Sequence, residues 1–98
     1  MISKRRDLAG HFLSLHNDRI DTQERRVAYV LGFTPRWDAR WGGLLHFVAD
    51  DKQTEIDRMT PGFNTLTLFR VPQWHHVSEV LPAAEELRYS ISGWLRDK

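Results

Sequence analysis

The sequence contains no cysteine, which excludes disulfides, cysteine-based zinc fingers and thiol chemistry, and suits a reducing compartment. It has no apolar run of membrane-spanning length, and its amino terminus lacks the hydrophobic stretch of a signal peptide. A soluble cytoplasmic protein is the expectation. Charge of one sign is also missing: the net charge is +1, so no strong field points to nucleic acid or to an anionic membrane. The basic runs Lys4-Arg5-Arg6 and Arg25-Arg26 are short and soon followed by acids or apolar residues, and they read as solvated surface or strand ends. What is present is ordinary for a globular protein, 41% apolar and 28% charged, and 98 residues suit one small domain spanning 1–98.

Helical periodicity is scarce as well. The apolar residues fall in alternating or short continuous runs, the pattern of strands. Ile2 to Asp7, His11 to His16, Arg25 to Phe33, Gly43 to Val48, Thr54 to Met59, Asn64 to Val71, Trp74 to Val80 and Leu87 to Leu95 give eight short strands. Turn residues such as Pro35, Asp50-Asp51, Pro61-Gly62 and Pro72 separate them about every ten residues, a spacing that points to an all-β sandwich or jelly roll. Pro82 to Glu86 is the best candidate for a helical turn. The longest irregular stretch, Thr34 to Gly42, carries two Trp and two Arg. It reads equally as a cap on one end of the barrel or as the rim of a binding mouth.

Residues i and i+2 of a strand share a face, so His16 and Asp18 project together at the end of the second strand. A histidine from a distant strand, His75 or His76, completes two imidazoles and one carboxylate. That set leaves adjacent coordination positions open and suits non-haem Fe(II). The pair alone is weak, because this composition produces roughly 0.4 His-x-Asp occurrences by chance. His11 and His46 read as packed or surface residues. Arg88 and Ser90 share a face of the last strand, where a guanidinium among core residues needs an anionic partner. That partner is either a ligand carboxylate or a protein acid such as Glu79 or Glu85.

Five blocks occur in order: Gly10-His11-Phe12-Leu13-Ser14-Leu15-His16-Asn17-Asp18; Trp41-Gly42-Gly43-Leu44-Leu45; Asn64 with Leu66 and Phe69; His75-His76-Val77-Ser78-Glu79-Val80; and Arg88-Tyr89-Ser90-Ile91-Ser92-Gly93-Trp94. Together they resemble the catalytic domain of prolyl 4-hydroxylase-type 2-oxoglutarate/Fe(II) oxygenases. The resemblance implies a double-stranded β-helix, a jelly-roll barrel with the metal near its open end. It implies His16, Asp18 and His75 as iron ligands, His75 being chosen over His76 by the family block HxVSEV. It further implies Arg88, helped by Ser90, as the group that binds the far carboxylate of 2-oxoglutarate, with Tyr29 and Asn64 lining the pocket. The implied reaction hydroxylates an unactivated C–H bond, that of a prolyl residue in a peptide or protein or of a free amino acid. It consumes O2, releases succinate and CO2, and uses ascorbate as a reductant.

Relatives of this kind usually carry a helical segment before the barrel, whereas this sequence starts at about the first barrel strand. One sheet face is therefore expected to expose Phe, Leu and Ile side chains, consistent with an N-terminally truncated domain or with a homodimer formed through that face. Two other functions remain open on sequence: a non-catalytic β-helix module that binds a ligand or partner, and a zinc hydrolase on the same three ligands. The hydrolase lacks an obvious general base and leaves Arg88 without a purpose.

Overall fold

The computed structural model describes residues 2–20 and 25–96. Eight strands appear where alternation places them: β1 Ile2–Asp7, β2 Leu13–His16, β3 Arg25–Gly32, β4 Leu45–Val48, β5 Glu55–Met59, β6 Thr65–Arg70, β7 Trp74–Val77 and β8 Arg88–Arg96. They form two antiparallel four-stranded sheets, ordered β1-β8-β3-β6 and β2-β7-β4-β5, the all-β jelly-roll arrangement. The core between them is built on Leu45, Phe47 and Val77, with Leu13, Met59 and Phe69 packed against it. Each such side chain contributes about 1.5–3 kcal/mol when fully buried.

Strand β8 organises the functional half of the molecule. It lies between β1 and β3, and its inward-facing positions are Arg88, Ser90, Ser92 and Trp94. In its register with β1, Arg5 stands opposite Ser90 and Asp7 opposite Arg88. Cross-strand partners share a face, so Arg5 and Asp7 turn inward with them. This corrects the expectation that Lys4-Arg5-Arg6 is simply a solvated run: Arg6 is exposed, Arg5 is half-buried and Asp7 is only 2% exposed.

The outer face of the same sheet carries Leu66, Leu68 and Leu95, each more than half exposed. The period of two forces this, because β6 uses Thr67 and Phe69 for the interior and must turn Leu66 and Leu68 outward.

Two elements differ from expectation. Pro82 to Glu86 forms no helix; Ala84 N–H donates to the Leu81 carbonyl and closes a simple turn. Five residues between strands are too few to repay helix nucleation. The one helical turn among the described residues is a 3-10 turn, η1, over Ala39–Trp41, inside the stretch read as irregular. Asp38 caps it by accepting from the Arg40 N–H. Trp41 is buried and meets Trp37 edge-on at 5.2 Å, and Trp37 Nε1 donates to the Gly42 carbonyl. Neither indole lines the cavity onto which the inner face of β8 opens.

The Gly42-Gly43 pair has a structural reason. Both have positive φ, 73° and 65°. Gly43 N–H donates to the Glu79 carbonyl, and the chain passes so close that a Cβ on Gly42 would overlap that same carbonyl oxygen. Gly42→Ala is therefore expected to cost at least about 2 kcal/mol, from unfavourable φ plus backbone displacement. Urea denaturation checks this; an unchanged midpoint would contradict the packing described.

Candidate metal centre

Strand β2 ends at His16, and strand β7, antiparallel to it, places His75 directly opposite. Asp18 follows two residues after His16, outside the strand, with φ 65°. The carboxylate therefore reaches the imidazole through a left-handed backbone turn rather than through strand pleat. Residue i+2 does meet residue i, but by a different route from the one alternation implies.

The three side chains converge. His16 Nε2 lies 2.9 Å from Asp18 Oδ1, His75 Nε2 lies 3.5 Å from Asp18 Oδ2, and the two imidazole centroids are 4.2 Å apart. One ligand atom from each falls within 4.8 Å of the others, a spacing a single ion can bridge. The remaining ring nitrogens are committed elsewhere. His16 Nδ1 is 2.7 Å from the Ser14 carbonyl oxygen, and His75 Nδ1 is 2.6 Å from that of Gln73. A carbonyl can only accept, so each Nδ1 carries the proton and each Nε2 is the atom left for a metal. Trp94 Nε1 donates to Asp18 Oδ2 at 3.1 Å, and Arg25 Nη1 donates to the Asp18 carbonyl while stacking over the Trp94 ring. The donor set, two imidazole nitrogens and one oriented carboxylate, fits a divalent first-row metal.

His76, the neighbour of His75, points the other way. It stacks on His46 at 4.5 Å with nearly parallel rings, and His46 pairs with Glu55. His11 accepts from the Leu8 N–H in the turn before β2.

Without a metal the two histidines differ in proton affinity. The hydrogen bond that His16 donates to Asp18 raises the pKa of His16 above the ordinary imidazole value, outweighing its burial. Burial dominates at His75 and lowers it. Burial pushes the Asp18 carboxyl up, but its bonds from His16 and Trp94 bring it below the usual range. The His16–Asp18 pair thus stabilises the metal-free fold fully between the ordinary carboxylate and imidazole values, and that stability is lost as pH falls through the lowered Asp18 value or rises through the raised His16 value. Metal binding runs in the opposite sense, since the ion must displace the His16 proton. Mn(II) affinity is expected to fall about tenfold per pH unit below that value, with release of about one proton. Calorimetry at pH 6 and pH 8 in buffers of different ionisation enthalpy measures both quantities.

The three residues open into a cavity of about 350 Å³. Leu13, Ala28, Val30, Leu45, Phe69 and Val77 give it apolar walls, and Arg88 and Ser90 lie on its lining. Arg88 is 5% exposed. Its Nε donates to the Gly43 carbonyl at 2.8 Å and its Nη1 to Asp7 Oδ2 at 3.0 Å, with Ser90 Oγ 3.5 Å from Nη1. Burial lowers the Arg88 pKa, and the Asp7 carboxylate opposes that shift. The acid beside Arg88 is therefore Asp7, from the first strand, and neither Glu79 nor Glu85. Sequence reasoning missed it because Asp7 is 81 residues away and only the pairing of β1 with β8 brings it to Arg88. Tyr29 touches the cavity; Asn64 does not, because it sits in a left-handed turn, φ 53°, that leads into β6.

Residues 2–96 match the sequence model of the 2OG-Fe(II) oxygenase superfamily. Among curated proteins, the chain is 36% identical over 88 residues to prolyl 3-hydroxylase OGFOD1 of Mus musculus, covering 84% of this chain and 16% of that protein. It is 33% identical over 88 residues to the Xenopus laevis protein of the same name, covering 84% of this chain and 17% of that one. The crystal structure of a Pseudomonas putida prolyl-4-hydroxylase superposes with a TM-score of 0.80 at 26% identity, covering 99% of this chain and 52% of the other. The chain thus spans less than a fifth of the curated relatives' length and about half of the solved structure's.

Proposed function

The chain belongs to the 2OG-Fe(II) oxygenase superfamily, and on that premise we propose that it is a 2-oxoglutarate-dependent dioxygenase that hydroxylates a prolyl residue in a peptide or protein. One observation carries the reading: two histidine Nε2 atoms and one carboxylate converge on a cavity that also holds a buried arginine. A divalent metal alone would need the first set. A metal plus a dicarboxylate uses both, the dicarboxylate meeting the Arg88 Nη2 that Asp7 leaves open.

In this proposal His16, Asp18 and His75 hold Fe(II), and Arg88 with Ser90 takes the far carboxylate of 2-oxoglutarate. Bound Fe(II), with 2-oxoglutarate and O2, supplies the oxidising power that turns C–H into C–OH as 2-oxoglutarate becomes succinate and CO2. The protein supplies order. The Ser14 and Gln73 carbonyls fix the imidazole planes, and the Trp94 indole N–H holds one carboxylate oxygen of Asp18. The apolar walls keep water away from the reacting centre. With the carboxylate ligand present, hydroxylation is favoured over reactions that need a vacant ligand position.

The same proposal includes ascorbate as reductant and a cytoplasmic location, the latter supported by the lack of cysteine. It also includes self-association through the face of Leu66, Leu68 and Leu95. No helix among the described residues is long and apolar enough to cross a membrane.

Incubating the Fe(II)-loaded protein with 2-oxoglutarate, ascorbate and a panel of proline-containing peptides tests the activity. A gain of one oxygen on a peptide, matched by succinate, is expected. A folded, metal-loaded protein that yields neither would make this a binding module.

A further inference from the structure

The acidic partner of Arg88 has a second cation on its other side. Asp7 Oδ2 accepts from Arg88 Nη1, while Asp7 Oδ1 accepts from Arg5 Nε at 2.6 Å. Arg5 Nη2 is held by the Phe12 carbonyl at 3.1 Å. Each guanidinium keeps one terminal nitrogen, Arg5 Nη1 and Arg88 Nη2, with no hydrogen-bond partner among the described residues. Both side chains line the cavity that contains His16, Asp18 and His75. The register explains why: Arg5 faces Ser90, and Asp7 faces Arg88, on the inner face of one sheet.

Charge sharpens the point. Two guanidiniums against one buried carboxylate leave one net positive charge at this part of the cavity. A divalent ion on His16, Asp18 and His75 likewise leaves one at the other. In a partly apolar cavity a net charge attracts an opposite one strongly. The cavity therefore suits a dianion with one carboxylate for each cationic group, and Asp7 acts as the spacer that holds two arginines as a pair of arms.

We propose that Arg5 is a second anchor for the far carboxylate of the cosubstrate, positioned by Asp7 beside Arg88; this rests on the oxygenase reading above. Arg5 is a binding residue that sequence alternation alone leaves on the surface. Its side chain is about one-third exposed, so its replacement leaves the buried Asp7–Arg88 pair in place.

The test measures ligand binding by the Mn(II)-loaded protein, calorimetrically and without turnover, for 2-oxoglutarate and for 2-oxopentanoate. The second ligand has the same five-carbon chain and chelating end but lacks the far carboxylate. Arg5→Gln is expected to raise the Kd for 2-oxoglutarate about tenfold and to leave that for 2-oxopentanoate unchanged. Arg5→Lys, which keeps the charge, is expected to stay within about threefold of the parent. Unchanged 2-oxoglutarate affinity in Arg5→Gln, or an equal loss for both ligands, would show that Arg5 merely braces Asp7 and overturn the proposal. So would an Arg5→Lys loss as large as that of Arg5→Gln. If the parent protein binds neither keto acid, the oxygenase reading itself fails and the anchor with it.

Discussion

Asp18→Asn is expected to lower Mn(II) affinity by at least about 100-fold while leaving the fold intact. Losing a group that merely orients a ligand commonly costs 10–100-fold, and Asp18 is itself the sole anionic member of the donor set. Asparagine is the informative replacement. Asp18 sits at φ 65°, a conformation that asparagine tolerates better than alanine, so backbone strain does not confuse the result. The amide also retains an oxygen to accept from Trp94 Nε1. Titration calorimetry gives the affinity and a thermal melt verifies the fold. Undiminished affinity would mean that the ion binds elsewhere.

The second large effect falls on stability. Arg88→Gln removes one partner of a buried ion pair and leaves Asp7, 2% exposed, with only Arg5. Breaking such a pair from one side costs about 3–5 kcal/mol, a large share of the total for a domain of this size. The lost donation to the Gly43 carbonyl adds to it, because that bond fixes the chain beside strand β7, which carries His75. Urea denaturation is expected to show a midpoint far below the parent's. Replacing both partners, Arg88→Met with Asp7→Leu, is expected to recover part of the stability but none of the 2-oxoglutarate binding. A double variant that binds 2-oxoglutarate as the parent does would remove Arg88 from the site.

The strand framework was legible because eight short alternating runs leave few other ways to bury apolar surface, and all eight appear where alternation puts them. Short elements ruled by local chemistry were less legible. Asp38 makes a helical turn of Ala39–Trp41 inside an irregular-looking stretch, while Pro82 to Glu86 closes as a turn. The convergence of His16, Asp18 and His75 was legible as a set of donors, yet the left-handed turn at Asp18 was not, since no glycine marks it. Arg5 and Asp7 were hidden for another reason. Their alternation with Arg6 says that two residues share a face, but only the pairing of β1 with β8 says that this face meets Arg88. Strand neighbours 81 residues apart are a property of topology, and local pattern does not carry it.

The direct measurement is the visible spectrum of the protein with Fe(II) and 2-oxoglutarate under strictly anaerobic conditions. A weak metal-to-ligand charge-transfer band arises when one iron on this site is chelated by the keto-acid end of the cosubstrate. That band is expected in the parent protein and is expected to be lost in His16→Ala. A well-folded parent protein with no band, or a band that persists in His16→Ala, would contradict the assignment of His16, Asp18 and His75 as the iron-binding centre.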